Sequence, residues 1–111
     1  MGTTVITIRL NDSGNGLQLD DGQSQGPHIT TRVKRRDVIK WKLIPNAGID
    51  SLDEIQSKGF SVFEARPSSQ PDGSLTATIA DLPDGSEEDY GIQYSINNVS
   101  YVHDPKIQIH A

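Results

Sequence analysis

The sequence predicts an all-β fold, a sandwich of two sheets made from about seven or eight short strands, with one short helix near 51–58. Apolar residues recur at every second position in short runs, the period of a half-buried strand. Turn sequences such as Gln70-Pro71-Asp72-Gly73, Leu82-Pro83-Asp84-Gly85 and Asn97-Asn98 punctuate those runs. The hydrophobic content is only 33%, against 10 Gly and 6 Pro, a balance that suits many turns around a thin core better than a helical bundle. A chain of 111 residues is expected to form one domain, 1–111, burying roughly two thirds of its unfolded surface.

Ile6, Ile8 and Leu10 alternate with Thr7 and Arg9 and predict a first strand with one apolar side. The segment 11–27 is polar, and only Leu17 and Leu19 suggest a short edge strand. Alternation resumes over 29–34. It is clearest over 38–44, where Ile39, Trp41 and Leu43 share one side and Lys40 and Lys42 the other. Arg35-Arg36-Asp37 is the expected turn between these two strands, read as a hairpin, and Pro45 ends the second because it has no N–H to give a ladder.

Asp50 or Ser51 caps the expected helix, with Glu54 the capping-box partner of Ser51, and Leu52 and Ile55, three apart, suit one helical face closed by Gly59. Phe60, Val62 and Phe63 predict another short strand, Leu75 to Ile79 the next. Tyr90, Ile92, Tyr94 and Ile96 line one side of a late strand that turns at Asn97-Asn98 into 99–102. Lys106 to His110 closes the chain, with Ile107 and Ile109 inward.

No apolar run approaches the ~20 residues needed to cross a bilayer, and the first residues lack the pattern of a secretory signal, so a soluble, cytoplasmic protein is the default expectation. The chain has no cysteine, which excludes disulfides, thiolate nucleophiles and thiolate metal ligands.

The arrangement Val33-x-x-x-Asp37-Val38-Ile39-Lys40-Trp41 resembles the cupredoxin strand written V-x-x-G-D-x-V-x-W. Tyr90-Gly91-Ile92-Gln93-Tyr94, followed by Lys106-Ile107-Gln108-Ile109, is similar to the pair of strands that ends that family. The resemblance implies a Greek-key sandwich and, in the family, electron transfer through copper. Several residues depart from it. Tyr94 falls about where the ligand cysteine is expected, and Met1 is the only methionine. Arg36 replaces the glycine before Asp37, so the turn there is expected to differ. A blue copper centre requires a thiolate, which oxygen donors cannot replace. No cofactor is therefore expected.

Six of the ten positive residues, Arg32, Lys34, Arg35, Arg36, Lys40 and Lys42, cluster around the predicted hairpin, and alternation would set several on its outer face. They are the candidate interaction residues, for a protein or a small anionic ligand. A charged face that discourages strand aggregation, or pairing with acids of the same molecule, are the competing readings. Nucleic acid is disfavoured because Trp41 belongs to the inward set and the net charge is -5.

The acidic run 81–89 reads as a solvated turn, since its spacing does not match a calcium loop. Among the three histidines, no two stand at i, i+4 spacing, and His103 beside Asp104 is the alternative metal pair. No serine sits at nucleophile-elbow spacing. The preferred expectation is a non-catalytic binding or interaction module, monomeric or weakly dimeric, with the loops 45–59 and 97–105 as candidate contacts. A metal-dependent or hydrolytic protein using His103 and nearby acids is the alternative.

Overall fold

The computed structural model describes residues 2–10, 16–26, 29–44, 48–57, 62–64 and 67–109. Its strands are β1 (Thr3–Leu10), β2 (Leu17–Asp20), β3 (Gln25–Gly26), β4 (Thr30–Val33), β5 (Val38–Leu43), β6 (Ser51–Ser57), β7 (Ser68–Ser69), β8 (Leu75–Thr78), β9 (Glu87–Ile96), β10 (Val99–His103) and β11 (Lys106–Ile109). The predicted two-sheet sandwich is what forms. The first sheet runs β3-β2-β1-β5-β8-β7; the second runs β10-β9-β11-β4, with β6 also on β9. Each sheet contains one parallel pair, β1 with β5 and β4 with β11. The described residues hold eleven strands where seven or eight are expected, because two-residue edge pieces form at β3 and β7 and a strand, β6, stands where a helix is expected.

The inner faces follow the alternation. Ile6, Ile8, Leu17, Leu19, Ile39, Trp41 and Leu75 from the first sheet meet Val33, Leu52, Ile55, Tyr90, Ile92, Ile107 and Ile109 from the second. Trp41 is fully buried, and its Nε1–H donates to Tyr90 Oη across the sheets at 3.2 Å. Phe63 completes an edge-to-face triad, with centroids 5.7 Å from Trp41 and 6.1 Å from Tyr90.

The helix expected near 51–58 gives way to a strand: residues 51–57 are β6, antiparallel to β9. The register of β6 shifts between Leu52 and Glu54, a bulge that adds one residue to the strand. A bulge turns a spacing of three into a same-face spacing, so Leu52 and Ile55 both reach the core without a helical turn. Ser51 Oγ donates to Asp53 Oδ1 (2.7 Å). Gly59 and Phe60 lie outside the described residues; Val62 is buried and Phe63 bridges to Ile79.

β4 and β5 do not form the expected hairpin, since β4 pairs with β11 and β5 with β1 and β8. The intervening turn carries the chain from one sheet to the other. Its organiser is Asp37, a buried carboxylate that accepts from Gly2 N (2.9 Å) and Lys34 N (3.0 Å). Val38 N donates to Gly2 O and Ile79 N to Asp37 O, which captures the start of β5 between two strands of the first sheet. Arg36 adopts φ 68 in this turn, the left-handed conformation glycine favours.

Holding a side chain in that region costs about 1 kcal/mol or more. Arg36→Gly is accordingly expected to preserve stability or raise it by at most about 1 kcal/mol in urea unfolding, despite losing an exposed ion pair to Glu64. Tyr90→Phe leaves the Trp41 N–H buried without its acceptor and is expected to cost about 1–3 kcal/mol. Burial holds the Tyr90 phenol above its ordinary pKa. The folded state therefore keeps a proton that the unfolded chain loses, and stability falls as pH rises beyond about 10. That alkaline decline should be shallower in Tyr90→Phe.

Candidate functional site

The structure separates the six basic residues. Arg32 and Lys34 are exposed at the β4 edge of the second sheet, whereas Lys40 and Lys42 point outward from β5 in the first. The two pairs therefore lie on opposite outer faces of the sandwich, and Arg35 and Arg36 lie in the turn that joins them. Several are engaged within the molecule. Arg35 Nε donates to Leu82 O (2.6 Å), and its guanidinium lies 3.2 Å from Asp84 and 4.0 Å from Asp81. Arg36 pairs with Glu64 at 2.7 Å and Lys40 with Asp72 at 3.4 Å. The Asp72 carboxyl is held at about 2, chiefly by hydrogen bonds from the Ser74 hydroxyl and amide.

Two open clefts touch this set. One, of about 460 Å³, is lined by Gln23, Ser24, Gln25, Ile29, Thr30 and Arg32. The other, of about 430 Å³, brings Lys42 beside Asp50, Ser51, Asp72 and Ser74. The acidic run is tied down as well: Lys106 Nζ lies 3.5 Å from Glu87 and 3.7 Å from Asp89, while Glu88 points inward and is buried. Its burial was legible in the alternation, because Glu88 has the same parity as Tyr90 and Ile92.

The two candidate contact loops are largely strands. Residues 51–57 form β6 and residues 99–103 form β10, and they flank β9 on its two sides, so Leu52, Tyr94 and Tyr101 lie in one row. Pro45–Ala47 and Lys58–Gly59 lie outside the described residues. Asn97 and Asn98 have φ of 51 and 65, the two left-handed residues a type I′ hairpin requires. β11 then continues the β10 register along β9, so β9 to β11 is one long hairpin stepped at Asp104-Pro105.

The candidate contact segment 97–105 is therefore the turn and outer strand of this hairpin, with β10 as a sheet edge where a loop was expected. Val99 and Val102 are each 50% exposed and Tyr101 45%, although they belong to a regular strand. Among the described residues β10 pairs with β9 alone, leaving its other edge open. Tyr101 stacks on the buried Tyr94 with centroids 5.5 Å apart and planes 22° from parallel. Gly91 makes room for Val102, whose Cγ1 lies 3.1 Å from where a β-carbon would stand. The available signal was the absence of any Asp, Glu, Lys or Arg from Ile92 to Val102 in a chain that is 23% charged.

His103 ends β10 opposite Ile92, and Asp104 follows it, exposed. Among the described residues no group of three or more His, Asp or Glu side chains is placed to hold a metal ion. His28 and His110 lie outside those residues. Copper of the cupredoxin kind does not fit here. The chain has no thiolate to supply, and the Tyr94 phenol is packed against Tyr101 and held above its ordinary pKa by burial and then by that neighbour. No helix among the described residues is long and apolar enough to cross a membrane. Neither the family models nor the curated proteins compared with this chain match it.

Copper(II) added to the purified protein is expected to give no intense visible band of the copper–thiolate type. A blue absorption would contradict the absence of a thiolate ligand.

Proposed function

We propose that the chain is a non-catalytic protein-interaction module on a copper-free, cupredoxin-like Greek-key sandwich, and that its contact surface is the β9–β10 hairpin. The observation that carries this reading is the open β10 edge with Val99, Tyr101 and Val102 exposed and no Asp, Glu, Lys or Arg from Ile92 to Val102. An unpaired strand offers a row of N–H and C=O groups to an incoming strand, and soluble proteins commonly block such an edge with lysine, proline or a bulge. β10 carries none of these.

The cupredoxin part of the reading is supported by the position of Trp41, buried on β5 after Asp37, and by the closing strands β9 and β11 side by side. The missing thiolate argues for binding in place of electron transfer. A small anion is the second reading. Arg32, which makes no ion pair among the described residues, lines the 460 Å³ cleft together with amide and hydroxyl side chains.

Elemental analysis after dialysis separates the module from a metal-dependent protein: no stoichiometric transition metal is expected, and one copper or zinc per chain would overturn the reading. Amide exchange tests the surface itself. In dilute solution the Ser100 and Val102 amides should exchange far faster than that of Tyr101, and equal protection of all three would show the edge to be covered.

A further inference from the structure

We infer that the occupant of the β10 edge is a second copy of this chain, paired antiparallel across a two-fold axis at Tyr101. The inference rests on the interaction-module reading and specifies its partner.

The hydrogen-bond parity of β10 defines what the edge offers. Tyr90 N donates to Pro105 O at 3.1 Å, and the β10 register on β9 continues through this pair. Odd-numbered residues of β10 therefore direct their backbone groups to β9, and Ser100 and Val102 direct theirs outward. An antiparallel partner centred on Tyr101 sets Ser100 against the partner's Val102, and Val102 against the partner's Ser100. Each of these is a pair that exchanges both N–H···O bonds. Tyr101 then faces the partner's Tyr101 in the closer, non-hydrogen-bonded kind of pair.

Shape and charge both favour like meeting like. Ser100, which is small, stands opposite a branched valine, and Val99 and Tyr101 from both copies gather on the face already occupied by the Tyr94–Tyr101 stack. The net charge of -5 makes two copies repel each other in general. Self-pairing at β4 would bring Arg32 and Lys34 toward their own copies, and at β6 Asp53 and Glu54. The remaining sheet edges, β3 and β7, are two residues long. β10 is thus the one extended edge among the described strands on which a copy meets no like charge.

Sedimentation over a wide concentration range tests the inference. The intact chain should shift from monomer to dimer as concentration rises toward about 1 mM, the range in which a weak association is populated. Protection of the Ser100 and Val102 amides should appear over the same range. Ser100→Pro removes an outward N–H without disturbing the ladder to β9, and Val102→Lys adds a charge to the edge; both should remain monomeric with the circular dichroism of the parent. The chain has no cysteine of its own, so Tyr101→Cys provides a register test and should form an intermolecular disulfide on mild oxidation, whereas Thr76→Cys, on the opposite sheet, should not.

A chain that stays monomeric throughout, or a dimer that survives both Ser100→Pro and Val102→Lys, would overturn the second-copy assignment. If the Ser100 and Val102 amides nevertheless exchange fast at every concentration, the edge is open and the interaction-module reading stands. If they are protected even in dilute monomer, that reading fails too.

Discussion

The hydrogen bond from the Trp41 indole to the Tyr90 hydroxyl is the constraint on which the sandwich depends. Both groups are buried between the sheets, where either polar atom alone would be costly to desolvate, so the two strands that carry them must cross at this point. Trp41 is central in the first sheet, flanked by β1 and β8. Tyr90 lies where β9 passes from pairing with β11 to pairing with β10. Phe63 packs edge-on against both rings and fills the volume beside them. One cross-sheet contact thereby fixes the relation between the layers and the point from which the hairpin extends.

β9 consequently does two kinds of work along its length. Its first half is enclosed by β11 and by the ion pairs of Lys106 with Glu87 and Asp89. Its second half supports the open strand β10 on one side and is braced by β6 on the other. The turn at Arg35 is similarly neutralised by Asp81 and Asp84. Arg35, Arg36, Lys40 and Lys106 thus meet acids of the same molecule, whereas Ile92 to Val102 carries no Asp, Glu, Lys or Arg.

The places where sequence and structure diverge have identifiable causes. Leu52 and Ile55 read as a helix because three-residue spacing belongs to helices, and a bulge in β6 produces the same burial in a strand. Arg32 to Lys42 read as one basic hairpin because two alternating runs are separated by a short polar turn. Asp37, bound to the amides of Gly2 and Lys34, redirects the chain into the other sheet and divides the basic residues between opposite faces. Arg36 adopts a left-handed backbone at that turn, a conformation no local sequence pattern announced.

By itself the sequence determined the inward set, Ile6, Ile8, Ile39, Trp41, Tyr90, Ile92, Ile107 and Ile109, because strand alternation is a local property of period two. It determined the Asn97-Asn98 hairpin, since adjacent asparagines tolerate positive φ, and it excluded thiolate chemistry by composition. Only the tertiary structure decided which strands are neighbours, that β4 and β5 belong to different sheets, and that β10 is left as an edge. Those outcomes depend on hydrogen bonds between residues distant in the chain, such as Val38 with Gly2 and Tyr90 with Pro105, and no local pattern encodes them.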